Sequence, residues 1–222
     1  MRFDAILLDM DGTVLNSLED LTDATNASLR HFGMPERTIG EVRRFVGNGA
    51  ERLITLAVPE GTGAELTAAV LAWYKPYYDA HCRVKTRPYD GILALLERLR
   101  GAGEKLAVIS NKPDEAVKIL AREHFAGLLD LAVGEKPPLR RKPWPDMIDE
   151  AVRLLGVSRE RCLYVGDSDV DVMTARNARL ACASVCWGFR SREELQNAGA
   201  THFFDTPEQL GDWILGGHSI AS

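Results

Sequence analysis

The chain has no C-x-x-C pair, no uninterrupted apolar run near the length of a membrane span, and no surplus of positive charge. Each absence removes a class of function. Its four cysteines, Cys82, Cys162, Cys182 and Cys186, are too scattered for a zinc or dithiol motif, and the last three sit in apolar runs as small core residues. Without a long apolar window no bilayer-spanning helix is expected. Arg2 and Asp4 flank a start that lacks an apolar leader region and a cleavage site, so a reduced, cytoplasmic setting fits best. The net charge is −5, so nothing pulls the surface toward nucleic acid or anionic lipid, and any bound phosphate must be held by local groups. Internal repeats and low-complexity stretches are also missing. What remains is ordinary for a packed protein, with 45% hydrophobic and 27% charged residues. A length of 222 residues allows one domain with a large insertion, or two small domains.

The chain begins with an apolar strand over Phe3–Leu8. Helical spacing follows over Ser17–Phe32, Ile39–Phe45, Glu51–Ala57 and Ala64–Tyr78, so residues 15–85 are expected to hold helices and no strand. The aromatics from Trp73 to Tyr78 read as core of that helical segment. The pattern then alternates. Strands are predicted over Lys105–Ser110, Leu128–Val133, Arg161–Gly166, Cys182–Trp187 and His202–Phe204. Helices are predicted over Ile92–Leu99, Pro113–Glu123, Pro145–Leu155, Val170–Ala178, Glu193–Asn197 and Pro207–Ile214, ahead of a frayed tail over Gly216–Ser222. Such alternation means right-handed crossovers and a parallel sheet covered on both faces. The expected fold is α/β: a doubly wound, Rossmann-like core of residues 1–14 and 86–222, with residues 15–85 inserted as an all-helical cap.

Ligands of open α/β sheets gather beyond the carboxyl ends of the strands, and four such ends carry polar residues here. The first strand runs into Asp9-Met-Asp11-Gly12-Thr13. A turn or helix cap accounts for one aspartate but not easily for two followed by glycine. Paired carboxylates beside a buried strand repel unless a cation or a shared proton neutralises them. The Arg161 strand ends in Gly166-Asp167-Ser168-Asp169-Val170-Asp171, where one acid can simply cap the next helix. Opposite another acid pair, these aspartates point to a site of hard oxygen ligands suited to Mg²⁺, with Asp169 read as a surface or capping acid. Ser110-Asn111-Lys112 ends a third strand, and Lys142 follows a fourth. A hydroxyl donor and a fixed ammonium are what such a site needs to bind phosphate, with Lys112 and Lys136 as competing cations. Gly47-Asn48-Gly49 opens a helix. Its backbone N–H groups can hold an anion, or the stretch is a turn capped by Asn48.

Together, Asp9-x-Asp11-Gly12-Thr13, Ser110, Lys142 within Lys-Pro-x-Pro, and Gly166-Asp167 with Asp171 resemble the haloacid dehalogenase superfamily. The likeness is to its phosphatases with a helical cap inserted after strand one. The stretches at 47–50, 110–113 and 166–168 look most like the members acting on 2-phosphoglycolate. The resemblance implies a Mg²⁺-dependent phosphomonoester hydrolase, with Asp9 as nucleophile and Asp11 as general acid and base. It also implies that Mg²⁺ is held by Asp9, the Asp11 backbone carbonyl and Asp167. Ser110 and Lys142 would bind phosphoryl oxygens, and Asp171 would orient Lys142 or the metal shell. Gly12, Gly47, Asn48, Gly49 and Asn111 join the substrate-binding set, with Arg44 or Arg52 as a further partner for a substrate carboxylate. The expected partner is a small phosphorylated metabolite, acted on by a monomer or homodimer that binds neither nucleic acid nor membrane. Other readings are a phosphatase of a sugar phosphate, nucleotide or pyrophosphate, a phosphomutase, and a phospho-accepting signalling receiver. Thr13 leans toward hydrolysis over the mutase. The helical insert and the length of the chain lean against the receiver.

Overall fold

Every residue of the opening strand, β1 (Ala5–Leu8), is buried. Its side chains alternate between the two faces of a sheet, as the period of two requires. Ile6 and Leu8 join one apolar cluster, whereas Ala5 and Leu7 join the other. The computed structural model describes residues 3–216, so the tail expected beyond Gly216 lies outside the described residues. The chain divides into two units, one built from residues up to 15 and from 88 onward, the other from residues 16–87.

Elements in chain order after β1 are β2 (Leu15–Asn16), α1 (Leu18–His31), α2 (Ile39–Phe45), α3 (Gly49–Ala57), α4 (Ala64–His81) and β3 (Arg87–Pro88). Then come α5 (Ile92–Gly101), β4 (Lys105–Pro113), α6 (Asp114–Phe125), β5 (Leu131–Glu135), α7 (Asp146–Leu155) and β6 (Cys162–Gly166). The chain closes with α8 (Asp169–Ala178), β7 (Ala181–Val185), α9 (Arg192–Asn197), β8 (Phe203–Phe204) and α10 (Pro207–Leu215).

The first unit is the expected α/β, doubly wound fold. Its six-stranded sheet has the order β5-β4-β1-β6-β7-β8, and its pairs are parallel. Helices α5, α6 and α10 bury Leu95, Leu96, Leu120 and Leu210 against one face. Helices α7 and α8 bury Met147, Ile148, Ala151 and Ala175 against the other. Leu8 stands in register with Val108 on one side and Val165 on the other, so the tips of β4 and β6 flank the tip of β1.

Two local expectations are corrected. Residues 15–85 are not free of strand, because they open with β2, which pairs with β3 just past residue 85 as a two-stranded sheet. The predicted strand at Leu128 begins at Leu131. Leu128 and Leu129 are apolar because they pack on the core from a turn, in which Leu128 N–H donates to the Phe125 carbonyl at 2.9 Å.

The second unit is helical apart from its boundary strands. Asp20 on α1 is buried, and its carboxylate accepts from the N–H groups of Lys85 (3.0 Å) and Thr86 (2.8 Å) and from the Thr86 hydroxyl (2.8 Å). Tyr74 and Tyr78 are buried in its core, while Trp73 and Tyr77 stack half-buried with His31 and His81 at either end.

Candidate active site

The order of the sheet changes direction at β1, and a crevice outside the strand ends is expected there. Beyond Leu8 the Asp9 N–H still donates to the Val165 carbonyl at 2.9 Å, which prolongs the ladder by one residue. The chain then turns tightly, with the Met10 carbonyl accepting from Val14 (3.1 Å) and Leu15 (2.9 Å). Gly12 is required twice over. Its φ is +89°, and a Cβ at this position would collide with the Asp167 carboxylate.

Asp167 at the tip of β6 is almost completely buried. The Thr13 hydroxyl donates to its Oδ1 at 3.0 Å, and the Phe189 N–H donates to its Oδ2 at 2.7 Å. The Lys142 ammonium, also buried, lies 2.6 Å from Asp9 Oδ1 and 2.8 Å from Asp171 Oδ1. It donates to the Tyr164 hydroxyl at 3.1 Å, which in turn donates to Asp171 Oδ1 at 3.0 Å. The second oxygen of Asp171 accepts from the Ser168 hydroxyl (2.6 Å), the Ser168 N–H (3.1 Å) and the Asp167 N–H (3.2 Å).

Other predicted residues gather at the same edge. Ser110 is buried, and its hydroxyl oxygen accepts the Lys112 N–H at 3.2 Å, which leaves its own hydrogen to donate. Asn111 exchanges two bonds with the backbone of Lys142, donating to its carbonyl at 3.1 Å and accepting from its N–H at 2.7 Å. Asn111 therefore holds the lysine loop in place. Asp11 is half-buried and pairs with Lys112 at 3.2 Å. Asp169 is half-exposed and faces Arg190 at 3.4 Å. Gly47, Asn48 and Gly49 open α3 in the helical unit, where Asn48 stands at the N-cap without a side-chain cap bond. The sequence marks Thr13 as part of the first motif but not as a partner of Asp167, and it marks neither Tyr164 nor Phe189. Tyr164 is hidden there in an apolar strand, and Phe189 contributes only backbone, which no sequence pattern marks.

The electrostatics follow from burial. Burial raises the Asp9 carboxyl well above the usual aspartate range, and repulsion from Asp171 and Asp167 adds to this against the pull of Lys142. Burial, then Asp171, pushes Asp167 up to about 7. Burial works against the Lys142 ammonium, but Asp171 and Asp9 outweigh it and hold its pKa above the ordinary lysine value. Oxygens of Asp9, Asp167 and Asp171 lie within 4.8 Å of one another. Asp171 is already saturated by five donors, so Asp9 and Asp167 are the carboxylates with capacity left. Hard, buried, mutually repelling oxygens fit a small divalent cation. Among the described residues no helix is long and apolar enough to cross a membrane.

Residues 6–185 match the family model described as haloacid dehalogenase-like hydrolase. A phosphoglycolate phosphatase of Rhodospirillum rubrum is 34% identical over 95% of this chain and 90% of its own length. An N-acetylmuramic acid 6-phosphate phosphatase of Pseudomonas aeruginosa is 32% identical over 96% of this chain and 95% of its own. A crystal structure from Lactobacillus delbrueckii subsp. bulgaricus, provisionally assigned as a phosphoglycolate phosphatase, superposes with a TM-score of 0.94 at 42% identity. It covers 97% of this chain and 100% of that one.

Proposed function

The chain belongs to the haloacid dehalogenase-like hydrolases, and from that premise we propose that it is a Mg²⁺-dependent phosphomonoesterase acting on 2-phosphoglycolate through a phosphorylated Asp9. One observation carries the reading: a buried lysine bridges Asp9 and Asp171 beside a second buried carboxylate, Asp167. Such an arrangement is costly for stability alone, and it suits the capture of a phosphoryl group.

Asp9 attacks phosphorus in line with the ester oxygen. The bond from phosphorus to that oxygen breaks, and Asp11 supplies the proton the leaving alkoxide needs. Asp11 then takes a proton from water. The water oxygen bonds to phosphorus, the Asp9–phosphorus bond breaks, and inorganic phosphate leaves. Lys142 keeps the Asp9 carboxylate in place and meets phosphoryl oxygens, and the Ser110 hydroxyl donates to another. Asp171 and Tyr164 hold Lys142, and Asn111 holds its backbone. Asp9, Asp167 and the Asp11 carbonyl would bind Mg²⁺. When bound, the ion offsets repulsion between the attacking carboxylate and the phosphoryl oxygens.

The names of the two curated relatives each specify a phosphorylated carboxylic acid, which favours a carboxylated leaving group here. The test is a panel of 2-phosphoglycolate, N-acetylmuramic acid 6-phosphate, a sugar phosphate, a nucleotide and pyrophosphate, assayed with Mg²⁺ and with EDTA. Release of inorganic phosphate, strongest from 2-phosphoglycolate, abolished by EDTA and lost in Asp9→Asn, is the expected result. Undiminished turnover by Asp9→Asn would overturn the reading.

A further inference from the structure

Lys112 takes no part in the scheme above. It lies next to last in β4, where the register with β5 shifts between Ile109 and Pro113. Its side chain is 3% exposed, and its ammonium lies 3.2 Å from Asp11 Oδ2. A buried ammonium is costly to keep, and a cation for Asp9 and Asp171 is already present in Lys142. Lys112 is therefore a second positive charge, set on the Asp11 side of the site. Asp11 is the residue assigned to the leaving oxygen, so this charge stands where the leaving group must lie. In 2-phosphoglycolate a single methylene separates the ester oxygen from the carboxyl carbon. A cation that meets the carboxylate must then sit within a few ångströms of the acid that serves the ester oxygen.

We propose that Lys112 is a specificity-determining residue. Its ammonium receives the carboxylate of the leaving alcohol and gives up Asp11 in exchange. The inference rests on the phosphomonoesterase reading. Before substrate binds, the ion pair with Lys112 keeps the Asp11 carboxyl turned to the lysine. A carboxylated ester supplies a replacement anion and frees Asp11 to turn to the ester oxygen. An uncarboxylated ester supplies none, so discrimination arises at the step where Asp11 is needed. No bond is made or broken in the exchange.

The test compares 2-phosphoglycolate with ethyl phosphate, which has a methyl in place of the carboxylate, in wild type, Lys112→Met, Lys112→Gln and Lys112→Arg, all with Mg²⁺. In Lys112→Met and Lys112→Gln, kcat/KM for 2-phosphoglycolate should fall about 100-fold, chiefly through KM, as expected when a buried charge pair is lost. Ethyl phosphate should be hydrolysed as well as before or better, and Lys112→Arg should recover part of the preference. A second measurement needs no variant: glycolate should inhibit wild-type hydrolysis of p-nitrophenyl phosphate at concentrations where ethanol does not. Equal loss for both esters, or no difference between glycolate and ethanol, would show that Lys112 only steadies Asp11 and would overturn the proposal. A wild type that hydrolyses neither these two esters nor p-nitrophenyl phosphate removes the phosphatase reading and this inference with it, whereas one that hydrolyses p-nitrophenyl phosphate but not 2-phosphoglycolate keeps that reading and loses this one. One that hydrolyses both esters equally also keeps that reading and loses this one.

Discussion

Asp171 serves two purposes with its two oxygens. Oδ2 accepts from Ser168 as the reciprocal half of a helix cap, and Oδ1 holds Lys142 and Tyr164. A capping aspartate and a site aspartate are competing explanations in the sequence, yet here one residue makes both the cap bonds and the contacts with Lys142 and Tyr164. Asp171→Asn keeps an acceptor but removes the charge, leaving Lys142 partly uncompensated. We expect it to lower stability by about 3 kcal/mol, read as a smaller urea midpoint, and to lower kcat as the Lys142 ammonium loses its anchor. Thr13 has a similar lesson. In the sequence it closes the first motif and leans toward hydrolysis, whereas in the fold its hydroxyl donates to Asp167 Oδ1 and so fixes the direction of that carboxylate. Thr13→Val should weaken apparent Mg²⁺ affinity by about 10-fold, measured as the metal dependence of turnover, since orienting partners of metal-binding groups are worth that much.

The site rests on how three elements end. Helix α8 starts at Asp169 because Ser168 caps it, accepting the Asp171 N–H while the Asp171 side chain returns to the Ser168 backbone. Ser168→Ala should cost about 1 kcal/mol of stability, as other cap losses do. It should also reduce activity in proportion to how far Asp171 moves from Lys142, so the variant is read by thermal melting and by kcat together. A pure stability loss with unchanged kcat would separate the cap from the site. Strand β4 runs three residues past Ser110, where the apolar pattern stops. Its shifted register beyond Ile109 re-aims Ser110, Asn111 and Lys112 to three different tasks, as irregular strand ends commonly do. The loop before α7 carries Lys142, held by Asn111 across 31 residues of chain.

For the molecule as a whole, the acidic cluster sets the dependence of stability on pH. Asp9 and Asp167 both titrate higher in the folded state than in the unfolded chain, so the cation-free folded state holds extra protons. For Asp167 the window runs from about 4, the ordinary aspartate value, up to about 7. Stability should fall as pH rises through that window. If Asp9 and Asp167 hold Mg²⁺ as proposed, binding would displace those protons, and the gain in melting temperature on exchanging EDTA for Mg²⁺ should be larger at pH 8 than at pH 5. An equal gain at both would contradict the assignment of Asp9 and Asp167 to the cation. The fold class was legible beforehand because buried strands and amphipathic helices have distinct periods, and Asp9, Asp11 and Asp167 stood out because charge beside apolar strands is costly. The lysine was not settled in that way. Lys112, Lys136 and Lys142 carry the same charge, and only the folded chain shows Lys136 beside Asp114, Lys112 on Asp11 and Lys142 between Asp9 and Asp171. Local sequence determines which residues are buried and which face of a strand or helix they occupy. Which charges meet depends on strand order, register and loop path, and those are properties of contacts between segments far apart in the chain.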